Sequence, residues 1–79
     1  MVRIEIKRGI SNDNLFKWCA DKFGSPEYYI TNKKQIITGG KNWEVICNYN
    51  TYELTLRILT IYDSKLATFA ILQLDDKLG

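Results

Sequence analysis

Residues Val2–Arg8 alternate strictly, with Val2, Ile4 and Ile6 on one side and Arg3, Glu5 and Lys7 on the other. That period of two predicts a half-buried strand, which Gly9 ends. A helical period follows. Leu15, Phe16, Cys19, Ala20 and Phe23 form one apolar stripe, and Asn14, Lys17 and Asp21 form the polar face, so an amphipathic helix is predicted to run to Phe23. Ser11 is its N-cap, and Asp13 lies in the first turn, where the helix dipole favours an anion. Gly24 supplies a left-handed C-cap and Pro26 prevents continuation.

Beyond Pro26 the pattern is β-rich. Glu27–Thr31 and Gln35–Thr38 read as short strands on either side of an Asn32-Lys33-Lys34 turn, and Gly39-Gly40-Lys41-Asn42 is a strong turn signal. Trp43–Tyr49 alternates again, with Trp43, Val45, Cys47 and Tyr49 against Glu44, Ile46 and Asn48. Asn50-Thr51 turns the chain into Tyr52–Tyr62, a long β-branched strand, and Asp63-Ser64-Lys65 makes the next turn. Leu66–Leu74 is apolar at nearly every position, so periodicity does not decide its type. It is read as a strand in a hairpin with Tyr52–Tyr62. As a helix it would be capped by Ser64 and lined by Ala67, Ile71, Leu74 and Leu78, with Asp75 and Asp76 at the end where the dipole disfavours them.

The expected architecture is one α+β domain over residues 1–79, an antiparallel sheet with one helix packed across it. Its order is β-α-β-β-β-β, or β-α-β-β-β-α if the last segment is helical. Tyr52–Tyr62 and Leu66–Leu74 are apolar on both faces, as strands covered on both sides are. One helix covers only one face. A strand ending therefore implies a second apolar face that curls on itself, dimerises or meets a partner, whereas a helical ending uses the surplus internally.

Composition adds bounds. A chain of 79 residues buries only roughly 60–65% of its unfolded surface, so its stability is marginal. Aromatics, at 13%, help a small core because each ring carries a large apolar area. The formal net charge of +2 is too small to imply a nucleic-acid partner by itself. Met1 is followed by a charged segment and not by an apolar leader, and no run approaches the roughly 20 apolar residues of a membrane span. The expectation is a cytoplasmic protein without membrane contact, with Cys19 and Cys47 reduced and buried as small apolar residues. Ten Ile, eight Lys and six Asn against three Ala, three Arg and one Pro is the bias of an AT-rich genome, common to small phage proteins and AT-rich bacteria.

The residue set points away from catalysis. Histidine, the usual general base at neutral pH and the commonest metal ligand, does not occur. Two isolated cysteines make no zinc set. No phosphate-cradling glycine motif is present, and Gly39-Gly40-Lys41 reads as a hairpin turn. Adjacent Ser64 and Lys65 do not face each other. Asp75-Asp76 reads as a solvated tail, and Glu44 and Glu53 as surface charges. The expectation is a non-enzyme with no cofactor and no metal.

Two binding readings remain. The first is a protein-binding module, with a phage-type inhibitor or adaptor acting on a host protein as its narrower form. Trp18 lies about 60° off the apolar stripe at 100° per residue, at the boundary with water, where a tryptophan makes a typical hot spot. Tyr28, Tyr29 and Trp43 lie on short hairpin strands, and adjacent Tyr28 and Tyr29 must point to opposite faces. The alternative is nucleic-acid binding by Lys33, Lys34 and Lys41 set close to those aromatics, extended by Arg3, Lys7 and Arg8 and interrupted by Glu5, Glu27 and Glu44. A homo-oligomer or a subunit of a larger assembly would also suit strands apolar on both faces.

Overall fold

The computed structural model describes residues 1–6, 9–51 and 53–69. Among the described residues, β1 (Val2–Glu5), α1 (Asn12–Phe23), β2 (Tyr28–Thr31), β3 (Gln35–Gly39), β4 (Trp43–Asn50) and β5 (Glu53–Ile61) succeed one another, and a helical stretch over residues 64–69 follows. The strands form one sheet in the order β1-β5-β4-β3-β2, with every neighbouring pair antiparallel. The chain starts at one edge, crosses through α1 to the other edge, and returns as a meander until β5 pairs with β1.

The local signals work as the pattern predicts. The Ser11 hydroxyl accepts the Asn14 N–H at 3.1 Å, and Asp13 occupies the first turn. Gly24 follows the helix with φ of +115° and ψ of 158°, a region essentially restricted to glycine but more extended than the left-handed helical cap expected. Two side chains, from the first residue of β4 and the residue before it, satisfy carbonyls at this helix end: Trp43 Nε1 donates to Gly24 at 2.8 Å and Asn42 Nδ2 donates to Phe23 at 3.1 Å.

The core lies between α1 and one face of the sheet. Leu15, Cys19 and Phe23 meet Trp43, Val45 and Cys47 of β4 and Leu59 and Ile61 of β5, all buried, together with Ile6 and Ala67. A bulge helps. Between Asn48 and Tyr49 the register shifts, so Tyr49 pairs with Leu54 and not with Thr55. The extra residue returns Leu54 to the helix side, where both it and Tyr49 pack on the core. The Thr55 hydroxyl donates to the Asn48 carbonyl at 3.1 Å.

The order β-α-β-β-β-β holds over residues 2–61, with β5 as its last strand. The segment that follows takes the helical alternative and not the strand preferred over Leu66–Leu74: residues 64–69 are helical. The reason is topological. β5 already has β4 on one side and β1 on the other, so no edge of it is open to a hairpin partner. The helix starts from Asp63, one residue before the expected Ser64 cap. Asp63 Oδ1 accepts the N–H groups of Lys65 at 2.9 Å and Leu66 at 3.4 Å, and its carbonyl accepts that of Ala67 at 3.0 Å. Ala67 is buried and Leu66 packs beside it. Ile71, Leu74, Asp75, Asp76 and Leu78 lie outside the described residues. The first strand also ends early, at Glu5, although the Ile6 N–H still reaches the Arg57 carbonyl at 2.9 Å.

Candidate functional site

The face of the sheet opposite α1 carries no helix among the described residues. Its chemistry follows from register. Ile30 pairs with Ile37, Ile37 with Ile46, Ile46 with Ile58, and Ile58 with Glu5. Directly paired residues share a face, so four isoleucines form one row across four strands, closed by a carboxylate at the β1 edge. At about 4.8 Å between strands the row spans roughly 14 Å. Ile37, Ile46 and Ile58 are half-buried and Ile30 is 52% exposed.

Polar rows border it. On one side Tyr28, Gly39, Glu44, Thr60 and Arg3 stand in register. On the other, Gln35, Asn48 and Leu56 do, and Gln35 Nε2 donates to Asn48 Oδ1 at 2.8 Å. An open concavity of about 390 Å³ lies between Arg3, Glu44, Ile46, Ile58, Thr60 and Tyr62.

Gly39 shapes the rim. A Cβ there would sit 2.7 Å from the Tyr28 hydroxyl and 2.5 Å from the Trp43 carbonyl. Only glycine lets the Tyr28 ring lie across the sheet, so the double glycine is more than a turn signal. The Tyr62 hydroxyl donates to Glu44 Oε2 at 2.8 Å. That bond, then burial and the charge of Glu44, push the Tyr62 pKa up to about 12. Tyr28 is raised as well, by burial first and then by Glu44. Both hydroxyls therefore remain donors throughout the neutral range.

A pH dependence follows. The folded pKa of Tyr62 exceeds the ordinary value near 10. The stability it contributes is thus complete below pH 10 and lost as pH rises through about 12. In a spectrophotometric tyrosinate titration, Tyr62→Phe is expected to remove one of the two raised tyrosines and leave Tyr28, and Glu44→Gln to move the late ionisation back toward the ordinary range. A late phase of undiminished amplitude in Tyr62→Phe, or one unmoved in Glu44→Gln, would contradict this geometry.

The residues singled out from sequence are not brought together. Trp43 corrects the expectation of an exposed aromatic: it is wholly buried, because its ring fills the space beneath the helix C-terminus while its N–H holds Gly24. Trp18 is half-buried against the core, edge-on to Phe23 with centroids 5.4 Å apart. Its indole N–H is buried with no acceptor among the described residues. Tyr28 and Tyr29 do point to opposite faces, and only Tyr28 borders the isoleucine row. The lysines are divided too. Lys33 and Lys34 occupy the β2–β3 turn, and Lys41 the β3–β4 turn at the other end of β3. Arg3 is exposed on β1, at the opposite edge from β2. Lys7 and Arg8 lie outside the described residues. Glu44 and Glu53 stand at opposite ends of the β4–β5 ladder, paired with Thr60 and Asn50.

Sequence reading missed the isoleucine row and Tyr62. The available signal was Ile46, an apolar residue on the polar side of the Trp43–Tyr49 alternation. Aligning it with Ile30, Ile37 and Ile58 requires the strand register.

Among the described residues, no group of three or more His, Cys, Asp or Glu could hold a metal ion, and no helix is long and apolar enough to cross a membrane. Cys19 and Cys47 are free and buried, and burial pushes the Cys19 thiol up to about 12 and raises that of Cys47. No protein-family model, curated protein or solved structure matches this chain.

Proposed function

We propose that the protein is a small non-enzymatic binding module that docks another protein on the face of its sheet opposite α1. The observation that carries this reading is the row Ile30–Ile37–Ile46–Ile58 between two rows that are polar except at Gly39 and Leu56. An apolar centre within a polar rim is the anatomy of protein interfaces. Full burial of an isoleucine contributes about 1.5–3 kcal/mol. Four of them give at most roughly 6–12 kcal/mol, comparable to the association cost of about 4–15 kcal/mol. The partner must therefore also engage the rim, where Glu44 accepts, Arg3 donates, and the hydroxyls of Tyr28 and Tyr62 are held protonated. Action as an inhibitor or adaptor requires only such occupancy. Nucleic-acid binding is less well supported, because the cations that would track a phosphate backbone stand at opposite ends and edges of the sheet.

The test compares capture from nuclease-treated bacterial lysate by the tagged protein and by two variants. Ile46→Lys places a charge at the centre of the row, and Lys17→Glu alters an exposed position of α1. A stoichiometric protein retained by the wild type and by Lys17→Glu but lost with Ile46→Lys is expected. Capture that ignores Ile46→Lys, or material that is recovered only with intact nucleic acid, would contradict the reading.

A further inference from the structure

We propose that β2 is a self-association edge: it pairs antiparallel with β2 of a second copy about a two-fold axis at Ile30, joining two sheets into one. This uses the edge of the sheet and is independent of partner docking on its face.

β2 ends the sheet, and all four of its residues are exposed. Among the described residues no strand pairs with its outer side. Which backbone groups point outward follows from the hairpin. The Asn32 N–H donates to the Gln35 carbonyl at 2.9 Å. Antiparallel pairs alternate between bonded and non-bonded, so the bonded pairs toward β3 are Ile30 with Ile37 and Tyr28 with Gly39. At the other end the Glu27 N–H also reaches the Gly39 carbonyl, at 2.7 Å. The N–H and C=O groups of Tyr29 and Thr31 are therefore the ones that face outward.

The two edges of the sheet are not alike. β1 carries Arg3 and Glu5, charges of the kind that keep an edge from pairing. β2 reads Tyr-Tyr-Ile-Thr, four residues of high β propensity with no charge and no proline. Such an edge is a template for another strand, and the strand it matches best is itself.

Symmetry and chemistry select the register. A two-fold axis normal to the sheet keeps both helices on one side, and it requires that paired residues share a face. Centring it on Ile30 sets Tyr29 opposite Thr31 of the second copy and Thr31 opposite Tyr29. The outward groups of these two pairs then exchange four hydrogen bonds. Ile30 meets Ile30 of the second copy in the close, non-bonded position, so the two isoleucine rows become one. Just beyond the strand, Lys33 of each copy falls beside Glu27 of the other, an opposite-charge match at both ends. The alternative centre, Tyr29, sets Ile30 opposite Tyr28, offsets the two rows and leaves Lys33 beside Ser25. The charge match and the continuous row both favour Ile30.

Sedimentation and thiol cross-linking test this together. The wild type is expected to sediment as a dimer. Thr31→Pro removes an outward N–H without touching the β3 ladder, and Ile30→Lys sets two like charges face to face. Each is expected to give a monomer with an unchanged circular dichroism spectrum. Ile30→Cys provides a positive readout. At the two-fold axis the Cα atoms stand about 4.5 Å apart, within the range of a disulfide, so mild oxidation should give a covalent dimer. Ile37→Cys, one strand in from the edge, should not. A wild type that stays monomeric at its highest attainable concentration would overturn the proposal. So would a dimer that persists in both Thr31→Pro and Ile30→Lys, or an Ile30→Cys variant that does not cross-link. Ile46→Lys separates the two surfaces, because it should abolish partner capture and leave the dimer intact.

Discussion

Trp43→Ala is expected to destabilise the domain by about 3–5 kcal/mol. A chain of this length has about 4–12 kcal/mol of stability in all, so much of the population should unfold near physiological temperature. Two causes combine. The ring is wholly buried between α1 and the sheet, and its removal leaves a cavity that a small core cannot collapse to fill. The indole N–H also satisfies the Gly24 carbonyl at 2.8 Å, which is left without that donor where the helix ends. Trp43→Phe separates the terms: it keeps most of the volume and loses the hydrogen bond, so about 1–2 kcal/mol is expected. Urea denaturation measures both. A loss below about 1 kcal/mol for Trp43→Ala would mean that the ring does not hold the helix end to the sheet.

Arg57→Ala is expected to cost about 2–4 kcal/mol. Arg57 is 2% exposed on the helix side of β5, opposite Cys47. Its Nη1 donates to the Ile10 carbonyl and, at 3.1 Å, to Asn12 Oδ1. Asn12 Nδ2 in turn donates to the Tyr49 hydroxyl at 2.9 Å. The guanidinium thus ties the segment leading into α1 to the middle of the sheet. Its position near the positive end of a helix is unfavourable for a cation by itself, so these acceptors must compensate. Arg57→Met retains length and apolar bulk but no donor, and most of the loss should persist. Full stability in Arg57→Met would show that Arg57 acts through its bulk.

Much of this fold was legible in the chain. Ser11, the Leu15–Phe23 stripe and Gly24 fixed the helix because capping and periodicity are local. The alternation of Trp43–Tyr49 separated its two faces for the same reason. Leu66–Leu74 was not legible, since its type depends on whether β5 has a free edge, and β1 decides that from the far end of the chain. Trp43 was mistaken for a surface aromatic although its own alternation with Val45 and Cys47 placed it on the core side. The candidate site is the least legible part. Ile30, Ile37, Ile46 and Ile58 are unremarkable one at a time and become a surface only when four strands are set in register.

The most direct measurement of the central claim is isoleucine-methyl NMR during titration with the captured partner. The sequence supplies reporters on both faces: Ile37, Ile46 and Ile58 on the row opposite α1, and Ile6 and Ile61 in the core. The expected result is that the Ile37, Ile46 and Ile58 methyls shift or broaden at partner concentrations that leave Ile6 and Ile61 unchanged. Perturbation centred on Ile10, which leads into α1, and on Ile36, which packs on the core side of β3, with the isoleucine row unmoved, would contradict the account and place the functional surface on the helix side.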